Sequence, residues 1–186
     1  MTTATTTFTD LTGTYNLDVA HSRLGFVARH AMVTKVRGAF NQFEGTATVD
    51  GDNPSGSSVT ISIAVNSVDT RNAQRDAHLR TNEFLDIENY PTITFVSTAI
   101  KHVDGNDFEV TGDLTIKDVT KQVVIPIEYQ GAATDPFGNQ RVGFEGSLAI
   151  NRTDYGVSFN AALETGGVLV SEKVTLEFEI SAIKNA

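Results

Sequence analysis

The chain has 186 residues, 40% of them hydrophobic, which is enough for one well-buried core and too few for two comfortable domains. Lysine and arginine number 14 against 23 aspartates and glutamates, and the resulting net charge of −9 repels polyanions and speaks against nucleic acid as a partner. Cysteine is absent, so a disulfide framework, thiolate zinc sites and a cysteine nucleophile are excluded.

Residues 1–10 are threonine-rich around a lone Phe8 and show neither the basic region nor the apolar stretch of a secretory signal. We expect a flexible segment over residues 1–12 and a single domain over residues 13–186. The expected location is cytoplasmic, or periplasmic or secreted if the chain is a processed form. No window approaches the roughly 20 apolar residues that span a bilayer, so no integral membrane segment is expected.

Downstream, the dominant signal is a period of two. Leu24, Phe26, Ala28 and His30 alternate with their neighbours, as do Phe43, Gly45, Ala47 and Val49, and most cleanly Val59, Ile61, Ile63 and Val65. Residues 72–83 then form one short, mostly polar helical stretch. Alternation resumes with Ile93, Phe95, Ser97 and Ala99 and with Phe108, Val110, Gly112, Leu114 and Ile116. It continues through Val123, Ile125, Ile127 and Tyr129, through Val142, Phe144, Gly146, Leu148 and Ile150, and through Val174, Leu176, Phe178 and Ile180.

Turn chemistry at Asp50-Gly51-Asp52-Asn53-Pro54-Ser55-Gly56, Asp104-Gly105-Asn106-Asp107 and Asp135-Pro136-Phe137-Gly138-Asn139 makes successive strands antiparallel. A tighter hairpin falls at Lys117-Asp118. Pro126 has no N–H for a ladder bond, so its strand is expected to be bulged or locally at an edge. Periodicity does not separate a sandwich from a barrel. Hydrophobic or small residues on both faces, as at Gly25, Val27, Val36, Gly38 and Phe40, favour the barrel. The strand glycines either leave room for a ligand or relieve strain, and on sequence alone both readings stand.

Few residues offer chemistry. The four histidines, His21, His30, His78 and His102, lack the close spacing of a metal site, and no metal is expected. His21 and Ser22 are neighbours on opposite faces of an extended chain, which disfavours a dyad. Neither a nucleophile elbow nor a phosphate loop occurs, so no catalytic residue is assigned. Arg75 and His78, three apart on a helix, share a face suited to an anionic or carbonyl group, although an exposed salt-linked face is the plainer account. Asp18 with His21, and residues 151–156 around Arg152, are the remaining polar clusters. Arg152 either caps carbonyls or faces a barrel mouth.

The strings Tyr15-Asn16-Leu17-Asp18-Val19-Ala20-His21-Ser22, Val36-Arg37-Gly38-Ala39-Phe40, Arg75-Asp76-Ala77-His78-Leu79 and Tyr90-Pro91-Thr92-Ile93-Thr94-Phe95 run in one order with two more. These are Gly112-Asp113-Leu114-Thr115-Ile116-Lys117-Asp118-Val119-Thr120 and Asn151-Arg152-Thr153-Asp154-Tyr155-Gly156. In this order the chain resembles the YceI-like family from about residue 13 to residue 183. It departs from the pattern at Asp118, where glycine is usual.

The resemblance implies an all-β, extended eight-stranded antiparallel barrel of lipocalin-like form with one or two short helices. It also implies a lumen for a polyisoprenoid or related long-chain lipid such as an isoprenoid quinone, and it allows a homodimer. No enzymatic activity or required cofactor is implied, and the partner is a hydrophobic small molecule. Candidate tail contacts are Leu24, Phe26, Phe40, Phe43, Ile63, Phe95, Leu114, Phe144 and Leu148, about half of which should face ligand because a strand has two faces. Candidate head-group contacts are His21, His30, Arg75, His78 and Arg152. Burying a chain of about 20 carbons at roughly 0.8 kcal/mol each exceeds the cost of ordering it, so the tail supplies affinity and the polar residues supply selection. Two alternatives are an enzyme acting on a hydrophobic substrate, with His21 or His78 as base and Arg75 or Arg152 as electrostatic stabiliser, and a stress-related interaction module whose barrel is filled by its own side chains.

Overall fold

The structure is a computed structural model that describes residues 8–186. Its strands are β1 (Gly13–Leu17), β2 (Arg23–His30), β3 (Thr34–Phe40), β4 (Phe43–Val49), β5 (Ser58–Ala64), β6 (Val68–Asp69), β7 (Thr92–Asp104), β8 (Asp107–Ile116), β9 (Val119–Thr134), β10 (Gln140–Asn151) and β11 (Lys173–Lys184); the helix is α1 (Ala73–Leu79). Eight of them close into a ring in the order β1-β4-β5-β7-β8-β9-β10-β11, with β11 paired back to β1 and every neighbouring pair antiparallel. The expected eight-stranded barrel is therefore what forms, and the sandwich is not.

The three further strands, β2, β3 and β6, prolong three staves of the ring past a break. β11 pairs with β1 through Ala182 and with β2 through Glu179, so residues 18–22 stand opposite Ile180 and Ser181 alone. The surplus residues bulge outward as a 3-10 turn, Val19–His21. Side chains replace the missing ladder bonds. Ser22 Oγ donates to the Ser181 carbonyl at 3.1 Å and accepts from the Ser181 N–H at 2.9 Å, while Asp18 accepts from the Ala20 N–H. Arg141 on β10 fastens the bulge from outside, donating to Asp18 at 2.5 Å and to Asp135, in the β9–β10 turn, at 2.7 Å. A second 3-10 turn, Val65–Ser67, breaks β5 from β6 in the same way.

Inward positions follow the alternation read from the sequence, and most of the buried residues on β5 to β9 belong to one cluster that includes Ile93, Phe95, Val110, Leu114 and Ile125. Pro126 sits where the β9–β10 ladder, whose last pair is Ile127 with Gly146, gives out, so the residue without an N–H stands at a local edge. The hairpin at Lys117-Asp118 closes with Lys117 at φ 58°. At Gly38 and Gly112 the question of room is settled against the ligand: an added Cβ would lie 2.4 Å from the Phe26 ring and 2.5 Å from the Phe95 ring, respectively. These glycines admit the barrel's own aromatic side chains.

Of the segment over residues 1–12 expected to be flexible, residues 1–7 lie outside the described residues, and residues 8–12 lie against the barrel. The Phe8 ring stands edge-on to His102, Phe108 and Tyr129 at 5.3 to 5.6 Å, and the Tyr15 hydroxyl donates to the Leu11 carbonyl. Apolar contact of this kind holds a short segment that has little hydrogen bonding of its own. It covers one end of the barrel, here the Phe8 end. The other is the helix end, where α1, residues 80–91 and residues 152–172 gather.

Two outcomes follow. Gly112→Ala should destabilise the protein by about 1–3 kcal/mol in urea unfolding, because the methyl group meets the Phe95 ring and the Val96 carbonyl. The Arg141 guanidinium holds the carboxyls of Asp18 and Asp135 below the ordinary range. Groups depressed in the folded state stabilise it above about pH 4 and lose that contribution as pH falls through their lowered values. Arg141→Gln should therefore unfold more readily than the parent at neutral pH, with the gap closing as both are titrated below about pH 4.

Candidate functional site: an apolar lumen

A cavity of about 360 Å³ runs inside the ring from Phe8 and Leu11 at one end to Tyr155, Val157 and Val170 at the other. Its wall is built by the period-two pattern itself, since each strand contributes alternate apolar side chains such as Val59, Ile61 and Ile63 from β5 or Leu176, Phe178 and Ile180 from β11. Many of these inward residues, Leu176, Phe178, Ile127 and Phe144 among them, are only half-buried. They face the lumen and leave apolar surface there uncovered. The lumen is thus not filled by the barrel's own phenylalanines and leucines, which counts against the filled-barrel alternative.

Of the candidate tail contacts, Leu24, Phe26, Phe40, Ile63, Phe95, Leu114 and Phe144 line the cavity. Phe43 is buried at the start of β4 and Leu148 packs on the main cluster, and neither is part of the lining. Sequence reasoning left out Tyr15, Leu17, Leu79, Phe84, Leu85, Ile127, Leu176 and Phe178, which also line it. For Ile127, Leu176 and Phe178 the alternation already marked the face, whereas Tyr15 and Leu17 lie on β1, which is too short to show a period. For Leu79, Phe84 and Leu85, which come from α1 and the loop after it, no local period points inward.

The candidate head-group residues are not brought together. His21 is exposed on the outer bulge and bonds Asp18 at 2.7 Å. His30 is exposed at the end of β2 and bridges to Val170. Arg75 donates through Nε and Nη2 to the hydroxyl and carbonyl of Thr70, both at 2.7 Å, beside a buried Asp76 that accepts from the Thr70 N–H and hydroxyl. His78 bonds Glu83 and packs edge-on against Phe84 and Phe159. Only Arg152 lines the lumen.

Arg152 is 6% exposed, and its guanidinium donates to the carbonyls of Val157 at 2.6 Å, Ser171 at 2.8 Å and Val170 at 3.2 Å. Burial pushes it below the usual arginine range, opposed by Glu172. It therefore caps carbonyls and borders the cavity at once. The phenols of Tyr15, Tyr129 and Tyr155, all on the wall, are pushed up by burial and stay neutral. No histidine is part of the lining, and among the described residues no group of three or more His, Asp or Glu is placed to hold a metal ion. No helix there is long and apolar enough to cross a membrane.

Residues 15–182 match the YceI-like domain. This chain belongs to that family. Among curated proteins, the YceI-like chain is 40% identical over 169 residues to a UPF0312 protein of Staphylococcus epidermidis, covering 90% of this chain and 95% of that one. It is 41% identical over 140 residues to a UPF0312 protein of Pseudomonas aeruginosa, covering 75% and 73%. Among solved structures, BcnA of Burkholderia cenocepacia superposes with a TM-score of 0.79 at 27% identity, covering 89% of this chain and 98% of that one. A polyisoprenoid-binding domain from Saccharophagus degradans shares the fold, with a TM-score of 0.69 at 18% identity over 92% and 98% of the two chains.

Several strings that carried the resemblance are joints of the YceI-like barrel. Asp18, His21 and Ser22 form the strand break, Arg75 and Asp76 staple Thr70, and Arg152 anchors residues 157–171. Arg152→Ala should take this donor from the Val157 and Ser171 carbonyls, Val170 keeping its bond from the Asn160 amide, and lower stability by about 2–4 kcal/mol in urea unfolding. Limited proteolysis should then cut first within residues 157–172, and Arg152→Lys should restore only part of the loss, since an ammonium group does not reproduce the guanidinium fork.

Proposed function

We propose that this chain binds a long-chain lipid of the polyisoprenoid type, an isoprenoid quinone for instance, in the barrel lumen and stores or carries it without transforming it. The observation that carries the reading is the apolar cavity of about 360 Å³ running the length of the ring. That size lies within the range of small-molecule sites, and a slender tail suits a tube better than a compact ligand does. The fold shared with the polyisoprenoid-binding domain of Saccharophagus degradans supports the choice of tail.

The head group is neutral or weakly polar in this reading. Among the described residues Arg152 is the one cation on the lining, and it already serves three carbonyls, so a pyrophosphate would find little free positive charge there. A quinone carbonyl needs no counter-charge. Passive binding is favoured over catalysis because His21 and His78, the candidate bases, stand outside the lumen on carboxylate partners.

Native mass spectrometry after gentle purification, followed by organic extraction, should return an unmodified prenyl lipid. A protein that purifies empty and fails to take up prenyl quinones sinks the proposal. Ile61→Trp, on the lumen wall, should keep the barrel's circular dichroism. By displacing at least two methylenes of tail at roughly 0.8 kcal/mol each, it should weaken quinone uptake more than about tenfold.

A further inference from the structure

Although the molecule carries a net charge of −9, one patch at the helix end, beside the β2–β3 hairpin, is locally basic. No carboxylate occurs between Asp18 and Glu44, a stretch that holds Arg23, Arg29, Lys35 and Arg37. The β2–β3 hairpin projects there, and an open groove beside it is lined by His30, Lys35, Arg37, Arg71 and Arg75 with no acidic residue among its walls. The nearest carboxylates on β6 and α1 are engaged: Asp69 accepts from the Arg71 N–H and the Asn41 amide, and Asp76 from Thr70. The helix end also carries Glu83, Asp86, Glu88, Asp154, Glu164 and Glu172, none of which is part of the groove wall.

The hairpin tip is apolar. Met32 is 64% and Val33 74% exposed, and Val168, 38% exposed, belongs to the loop that holds the tip through the bond from the Ala31 N–H to the Leu169 carbonyl. Ala31 and Met32 both take left-handed backbone, φ 50° and 62°, where glycine or asparagine is the cheaper choice. The pair forms the left-handed turn of a tight hairpin, held by the bonds from the Ala31 N–H to Leu169 and the Val33 N–H to His30, and it displays a methionine where glycine or asparagine would be cheaper. The opposite end also bears an exposed aromatic, Phe137, but there it sits in a turn built on Asp135, on the end that also carries Asp50, Asp52, Asp104 and Asp107. Charge therefore distinguishes two otherwise similar apolar tips.

We propose that the β2–β3 hairpin docks the barrel on an anionic bilayer, with Met32 and Val33 entering the headgroup layer and Arg29, Lys35, Arg37, Arg71 and Arg75 lying over lipid phosphates. An apolar tip and a basic collar are the two signals that stable attachment to such a surface requires. The docked end is the one at which the lumen reaches Ala28, Leu79, Phe84 and Val170, so the barrel stands with that end toward the membrane. This orientation gives the lumen proposed above a route for its lipid, but the docking itself does not depend on that reading.

Vesicle co-sedimentation tests the proposal. The protein should bind vesicles of phosphatidylcholine with about one third phosphatidylglycerol at low salt, bind pure phosphatidylcholine weakly, and release as salt rises. Met32→Ser with Val33→Ser, and separately Lys35→Glu with Arg37→Glu, should each lower the partition about tenfold or more. All four positions are exposed or partly exposed at the surface, and circular dichroism checks that the barrel is intact. Phe137→Ser, at the other end, should bind as the parent does. Absence of binding, equal binding to both vesicle types, or hairpin variants that bind like the parent would overturn it. Organic extraction of the same variants reads the lumen separately: cargo kept while vesicle binding is lost is the expected result, and loss of both assigns the effect to the lumen and overturns the hairpin's role.

Discussion

One edge of β11 is shared by two successive strands, β1 and β2, and the rest of the barrel depends on that sharing. A sheet with strongly twisted strands either leaves two edges open or closes on itself, and closure needs the first and last strands to meet in register. Here β1 meets β11 over Tyr15 to Leu17 while β2 continues along the same strand, with residues 18–22 turned outward between them. The bulge lets the first stave bend around the lumen, and the network of Asp18, Arg141, Asp135 and Ser22 keeps it in place across β11.

The wall that results is firmly made and the space inside it is not filled. Buried residues crowd β7 and β8, where the Phe95 ring lies close over Gly112, whereas β9 to β11 turn half-buried apolar side chains toward the cavity. Apolar surface left uncovered inside a closed ring is a standing free-energy opportunity, worth roughly 25 cal/mol for each Å² that a ligand covers. Polar side chains are correspondingly rare inside. They serve the joints of the wall, Arg152 included, and so the motif residues that look chemical in the sequence are mostly structural.

The two kinds of polar cluster also divide the surface. Carboxylates gather in the turns of the Phe8 end and cations in the β2–β3 hairpin, the groove beside it and the first turn of α1. A molecule with a net charge of one sign can still present the other sign locally, because interactions between exposed charges fade over about 8–10 Å in physiological salt.

Much of this was legible in the residues. The alternation of Val59, Ile61 and Ile63, or of Val174, Leu176 and Phe178, is a local property, and it fixes strand, face and lumen side together. Turn residues such as Gly105 and Asp135 fix the antiparallel order, and Pro126 marks the place where a ladder has to end. Closure, the size of the cavity, the outward bulge at residues 18–22, and the scattering of His21, His30, Arg75 and His78 were decided only by tertiary structure. Each depends on which strands meet across more than a hundred residues, as Tyr15 meets Lys184. A side chain's neighbours along the chain say which way it points, but only its neighbours across the sheet say what it faces.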